Sequence, residues 1–228
     1  MDKQQIRDRI MEIGIIPVVR AASPREARIA ADAVCAGGIP IVEITMTVPG
    51  AVDVIRELTK GGASGILVGA GTVLNAEAAR RCLDAGAQFL VSPGLNIQTI
   101  ELAIREGKLM MAGALTPTEV ITAWEAGSDF VKVFPCGNVG GAKYIKALRG
   151  PFPQIPLVPT GGVNLSTAAE FIAAGAVALG IGGELVSAEA LKANKPEIIV
   201  ENARKFLAIV KQAREVLASA SIATKSSA

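Results

Sequence analysis

Apolar residues recur along this chain at two alternating spacings, one helical and one suited to short strands. Between residues 3 and 12 a short amphipathic helix is predicted, with Ile6, Ile10, Met11 and Ile13 available to one face. IIPVV follows as a first strand, with Arg20 at its end. Ser23 and Pro24 then open a helix over PREARIAADAVCAGG, the serine as cap and the proline in the first turn. From there one pattern repeats. A helix closes on a small residue and glycine, a short apolar strand follows, and polar, Gly or Pro residues end it. The later strands pass through Glu43, Val68, Val91, Met111 and Lys132, then through QIPLVPTGG and AAGAVALGIGG. The last helix is expected within residues 197 to 218, where Ile199, Ala203, Phe206, Val210 and Ala213 recur.

Eight strand-and-helix units counted from IIPVV predict an α/β fold, a closed (β/α)8 TIM barrel with a short N-terminal helix. Residues 1 to 228 then form one barrel domain, with the small, polar tail from about 219 expected to fray. A doubly wound open sheet is the alternative. It is disfavoured because the glycines at helix ends continue evenly, without a second domain or a dinucleotide signal. GAGTV at 69 to 73 lacks the full glycine fingerprint and its later acidic partner.

Composition narrows the chemistry. Half of the residues are hydrophobic but only 4% are aromatic, as expected for β-branched strands under small-residue helices. No apolar run approaches membrane-spanning length, and charges interrupt the N-terminus where a signal peptide would be apolar, so a cytoplasmic protein is expected. Lys and Arg total 23 against 21 for Asp and Glu, and they are scattered, which gives nucleic-acid binding little support. Cys35, Cys82 and Cys136 show neither a disulfide framework nor zinc spacing. There is no histidine at all, so acid/base work near neutral pH falls to a carboxylate, lysine, tyrosine, cysteine or water.

The candidate chemistry centres on SDFVKVFPCGNVGG, residues 128 to 141, where Lys132 stands inside an apolar strand. Such a lysine snorkels, pairs with an acid, or sits in a pocket where desolvation frees the amine as a nucleophile. Alternation puts Phe134 on the face of Lys132 and turns Val131 and Val133 to the helices. Barrel chemistry gathers at the C-terminal ends of the strands. There the chain places Arg20, Glu43 with Thr45 and Thr47, Thr72, Ser92 with Pro93, Lys132 with Phe134, and Thr160. Glu43 and Lys132 either form a buried salt bridge or serve as proton shuttle and Schiff-base nucleophile. The glycine turns at Gly161 and Gly162 and at Gly182 and Gly183 suit a phosphate or carboxylate, with Glu184 an awkward neighbour.

IVEIT, GAGTV, FLVSPG, GALTPTE, KVFPCGNVGG, GPFPQIPLVPTGGV and LGIGGELV occur in this order over nearly the whole chain. Together they resemble the 2-keto-3-deoxy-6-phosphogluconate aldolases and the related 4-hydroxy-2-oxoglutarate aldolases. The resemblance implies a class I aldolase without metal or cofactor, commonly trimeric, acting on a small 2-keto-4-hydroxy acid with no nucleic-acid or membrane partner. It implies that Lys132 is the Schiff-base lysine and Glu43 the general acid/base. Thr72, Pro93 and Phe134 become walls of a pyruvate pocket, and Thr160 lies close to the substrate. Gly161, Gly162, Gly182 and Gly183 become a phosphate cradle, while Thr45 and Thr47 join the substrate-binding set. Two departures stand out. Some relatives carry an arginine at the place of Thr47 to hold the substrate carboxylate, a role assigned here to Arg20. Some carry a serine where this chain has Gly183 followed by Glu184, which weighs on the phosphate preference. An aldolase of the same family acting on the galactonate epimer or on an unphosphorylated 2-keto acid is the alternative substrate reading. A noncatalytic metabolite-binding barrel, and a barrel lyase or isomerase working without an imine, are the readings from other classes.

Overall fold

The strands are apolar on both faces because each is buried twice, inward against the barrel interior and outward against helices. The computed structural model describes residues 1–60 and 65–225, with side chains through residue 220. Eight parallel strands run β1 (Ile15–Val19), β2 (Ile41–Thr45), β3 (Leu67–Gly71), β4 (Phe89–Val91), β5 (Leu109–Ala114), β6 (Phe130–Val133), β7 (Leu157–Pro159) and β8 (Leu179–Ile181). They hydrogen-bond in the order β7-β6-β5-β4-β3-β2-β1-β8. The remaining seam, between β7 and β8, closes through one parallel bridge from Thr160 to Gly180 and a 3.1 Å bond from the Val177 amide to the Leu157 carbonyl. The barrel expected from the repeat is therefore the fold, and the open-sheet alternative is set aside.

Helices α1 (Lys3–Ile13), α2 (Pro24–Ala36), α3 (Ala51–Lys60), α4 (Ala76–Asp84), α5 (Ile97–Arg105), α6 (Pro117–Glu125), α7 (Ala142–Arg149), α8 (Ala168–Ala173), α9 (Ala188–Lys192) and α10 (Pro196–Lys225) cover it. Their starts follow the capping signals. Ser23, Asn75, Asn96 and Thr116 each accept a hydrogen bond from a first-turn amide, and Pro24 and Pro117 occupy the first turn. The short α9 was not expected, because it is only five residues long. The last helix does not stop near 218 but continues to Lys225. SASIATK holds no glycine or proline to end it, and its alanines favour continuation. Residues 226–228 of the expected frayed tail, and residues 61–64 ahead of β3, lie outside the described residues.

Helix α1 packs against the N-terminal end of the barrel. Lys3 forms a 2.9 Å salt bridge with Asp129, and the Arg7 guanidinium lies 5.7 Å from the centroid of the buried Phe130 ring. Arg214 of α10 secures the other end of α1. Its Nη1 donates to the Glu12 carbonyl at 2.6 Å, and its Nη2 donates to Met11 at 2.7 Å and to Val177 at 3.0 Å. These are carbonyls that the end of a helix and a strand-leading loop leave without backbone partners. Arg214→Ala is expected to cost about 2 kcal/mol and lower the thermal midpoint by roughly 5 °C for a chain of this size. Thermal denaturation of the two proteins is the check, and an unchanged midpoint would show that water replaces the arginine at no cost.

Candidate active site

Strands β2 and β6 stand four positions apart in an eight-strand ring, so they face each other across the barrel axis. Glu43 sits on β2 in register with Val18 and Gly69, and Lys132 on β6 in register with Gly113 and Val158. Glu43 is 2% exposed and Lys132 3%. Among the described residues neither makes an ion pair within 4.0 Å, so the buried Glu43–Lys132 salt bridge considered from sequence does not form. Glu43 Oε1 is the buried side-chain oxygen or nitrogen without a hydrogen-bond partner among the described residues. An orphaned carboxylate in an otherwise satisfied interior is costly, and it marks where a reactant's hydrogen bond belongs.

Electrostatics follow from that placement. Burial pushes the Glu43 pKa above the 4.5 of an ordinary glutamate, and the positive charges of Lys132 and then Arg20 pull it partly back. Burial thus favours the protonated carboxyl more than water would, which suits a group that first gives a proton. Gly71, in register with Thr45, makes room for it: a Cβ there would fall 1.9 Å from Oε1. The sequence reading missed Gly71, although its place at the end of GAG, beside the glutamate strand, was the available signal.

Around these two groups the strand ends supply the walls. The Lys132 Nζ lies 5.4 Å from the centroid of the half-buried Phe134 ring, as the shared strand face predicts. Thr72, just after β3, has φ 55°, a left-handed conformation that a β-branched residue adopts only under strain. Strain of this kind gathers at functional sites. Pro93 is half-buried, and its turn is pinned by Ser92, whose Oγ donates to the Gly94 carbonyl at 2.8 Å and accepts from the Gly113 amide at 3.1 Å. That pinning role was not foreseen. Arg20 projects from the end of β1 into solvent at the barrel mouth, its Nη1 3.2 Å from the position a Gly182 Cβ would take.

Thr160, Gly161 and Gly162 follow β7 and pack on the loop after β6. The Thr160 carbonyl accepts from the Cys136 amide and the Gly161 carbonyl from the Gly137 amide, both at 2.9 Å. Gly161 and Gly162 have φ of 85° and 78°, and a Cβ on Gly162 would meet Gly137 Cα at 2.7 Å, so both the turn and the approach require glycine. Gly182 and Gly183 follow β8, and beside Gly183 there is open space for a side chain. Thr45 is fully buried, Thr47 is exposed, and their hydroxyls lie 2.7 Å apart. Cys136 is buried under its loop with its thiol pKa pushed up to about 12 by desolvation, so it is a protonated anchor near neutral pH. A cleft of about 570 Å³ opens beside the mouth, lined by Gly137, Asn138, Gly141, Gly162, Glu170 and Phe171 among others. Lys132 and Glu43 are not among its walls.

Comparison with known proteins gives this geometry a relationship. Residues 6–201 match the family model described as KDPG and KHG aldolase. The chain is 36% identical over 192 residues to the KHG/KDPG aldolase of Escherichia coli, covering 84% of this chain and 89% of that one. It is 32% identical over 208 residues to the 2-dehydro-3-deoxy-phosphogluconate aldolase of Haemophilus influenzae, covering 91% and 98%. The crystal structure of KDPG aldolase from Legionella pneumophila, with pyruvate captured at low pH as a covalent carbinolamine intermediate, superposes with a TM-score of 0.81 at 28% identity, covering 88% of this chain and 97% of that one. With a match across most of its length and a buried, unpaired lysine facing a buried glutamate, this chain belongs to the KDPG and KHG aldolase family.

Proposed function

We propose that this protein cleaves 2-keto-3-deoxy-6-phosphogluconate to pyruvate and glyceraldehyde 3-phosphate through an imine on Lys132, and that it also accepts 4-hydroxy-2-oxoglutarate. The observation that carries this reading is the opposition of Lys132 and Glu43, both buried and neither paired. The Legionella relative holds pyruvate as a carbinolamine, and the same addition here would fall to the Lys132 amine.

In this mechanism neutral Lys132 adds to the C2 ketone of the substrate. Glu43, in its protonated form, gives a proton to the departing carbinolamine hydroxyl, and loss of water leaves the iminium. The Glu43 carboxylate then takes the C4 hydroxyl proton, directly or through water. The C3–C4 bond breaks, its electrons pass into the iminium as an enamine, and the aldehyde leaves. Protonation at C3 and hydrolysis release pyruvate and restore the amine. Phe134, whose ring lies beside the Lys132 Nζ, limits water at the imine. Arg20 holds the substrate carboxylate with paired donors. Thr72 and Pro93 shape the pyruvate pocket, Thr160 lies beside the substrate, and the amides of Gly161, Gly162, Gly182 and Gly183 face its distal phosphate. We further propose a homotrimer of single-domain cytoplasmic subunits, on the strength of the family resemblance.

Pyruvate release from each substrate at matched concentrations tests the reading. Both are expected to turn over, with the phosphorylated acid showing the higher kcat/KM and neither rate changing in a chelator, since imine chemistry asks for no metal. Turnover of the unphosphorylated acid alone would overturn the phosphate part. It would assign Gly183 and Glu184 to a turn that rejects phosphate.

A further inference from the structure

We infer that Thr45 and Thr47 do not bind the substrate themselves but form a hydroxyl chain that sets the position of Arg20. The inference rests on the reading of Arg20 as the group that holds the substrate carboxylate. Arg20 follows Val19, the last residue of β1, and the β1–β2 register ends with Val19 beside Ile44. One residue further, Thr45 Oγ1 donates to the Val19 carbonyl at 2.9 Å. A hydroxyl has one proton. With that proton spent on Val19, the 2.7 Å contact between the two threonine oxygens takes its proton from Thr47. The chain therefore has a direction, from Thr47 to Thr45 to the Val19 carbonyl.

That carbonyl belongs to the peptide unit whose amide nitrogen is Arg20's own. Fixing its plane fixes the N–Cα bond that carries the Arg20 side chain and leaves rotation about φ as the one backbone freedom at its root. The root is what needs fixing, because the guanidinium has no hydrogen-bond or ion-pair partner among the described residues and only passes close to Gly182. Its charge nonetheless reaches Glu43 on the neighbouring strand β2. Neither threonine keeps a proton for an anionic ligand. Their oxygens have only lone pairs left to present, and these would repel a carboxylate rather than hold it. Thr45 and Thr47 are thus positioning residues that act on the substrate through Arg20.

A double-mutant cycle tests this with Thr45→Val, Thr47→Val and Arg20→Ala, read as kcat, KM for a 2-keto-4-hydroxy acid and thermal midpoint. Valine keeps the shape and removes the hydroxyl. Thr45→Val is expected to raise KM by about fivefold to tenfold and Thr47→Val by about threefold, as loss of single hydrogen bonds would. Thr45→Ser and Thr47→Ser restore it. In the Arg20→Ala background neither valine variant raises KM further. Because Thr47 is exposed, its variants carry the test if Thr45→Val does not fold. Additive increases in the Arg20→Ala background, or unchanged KM in both valine variants, would overturn the inference while leaving Arg20's role standing. If Arg20→Ala alone leaves KM unchanged, the carboxylate reading falls and the positioning role falls with it.

Discussion

Replacing Lys132 with methionine is expected to abolish pyruvate trapping and to lower aldol cleavage by at least about 10⁴-fold, the scale on which loss of a covalent nucleophile acts. In the unaltered protein, borohydride added with pyruvate should leave one reduced pyruvyl adduct on the peptide that carries Lys132. Methionine keeps the length of the side chain and fits the apolar strand. It removes a 3% exposed amino group that has no ion-pair partner, so the thermal midpoint should stay level or rise. The two readouts together separate chemistry from folding. An inactive variant that melts early would point to a structural lysine, whereas an adduct that persists in Lys132→Met would move the imine to another residue.

Glu43→Gln should lower kcat by about 10²–10⁴-fold, the range for a positioned acid/base, and should also change the shape of the pH profile. Burial raises the Glu43 pKa, against the pull of Lys132 and Arg20. As pH falls through that raised value the carboxylate takes up a proton and can no longer accept the C4 hydroxyl proton. Cleavage by the unaltered protein should therefore decline on its acid side above the pH at which an ordinary glutamate titrates. Glutamine cannot titrate, so this limb should be absent from the residual activity of the variant. Measurement of kcat/KM against pH in both proteins decides it. Persistence of the same limb in Glu43→Gln would assign the base to another group.

The architecture was legible because its signals are local. A helix-ending glycine, an apolar run and a polar strand end are written within about 25 residues, and their repetition implies parallel strands whose active ends share one face. Strand alternation likewise places Phe134 with Lys132, and KVFP, VEIT and GAGT point to the residues that the barrel gathers. Local signals were weaker for the last helix. Its buried positions fade after Val210, so the pattern stopped where burial stopped, while the backbone continues to Lys225.

Sequence by itself determined the barrel, because period-two alternation and turn chemistry are properties of neighbouring residues, and its ordered motifs carried the family. Tertiary structure decided how those residues meet. Closure of β7 on β8 sets β2 against β6, and only then do Glu43 and Lys132 face each other unpaired. The space that Gly71 leaves for a carboxylate, the threonine chain behind Arg20 and the Arg214 cap on a carbonyl 202 positions away also depend on contacts between distant segments. Register and side-chain direction across the barrel arise from packing of the whole ring, and no window of sequence contains them.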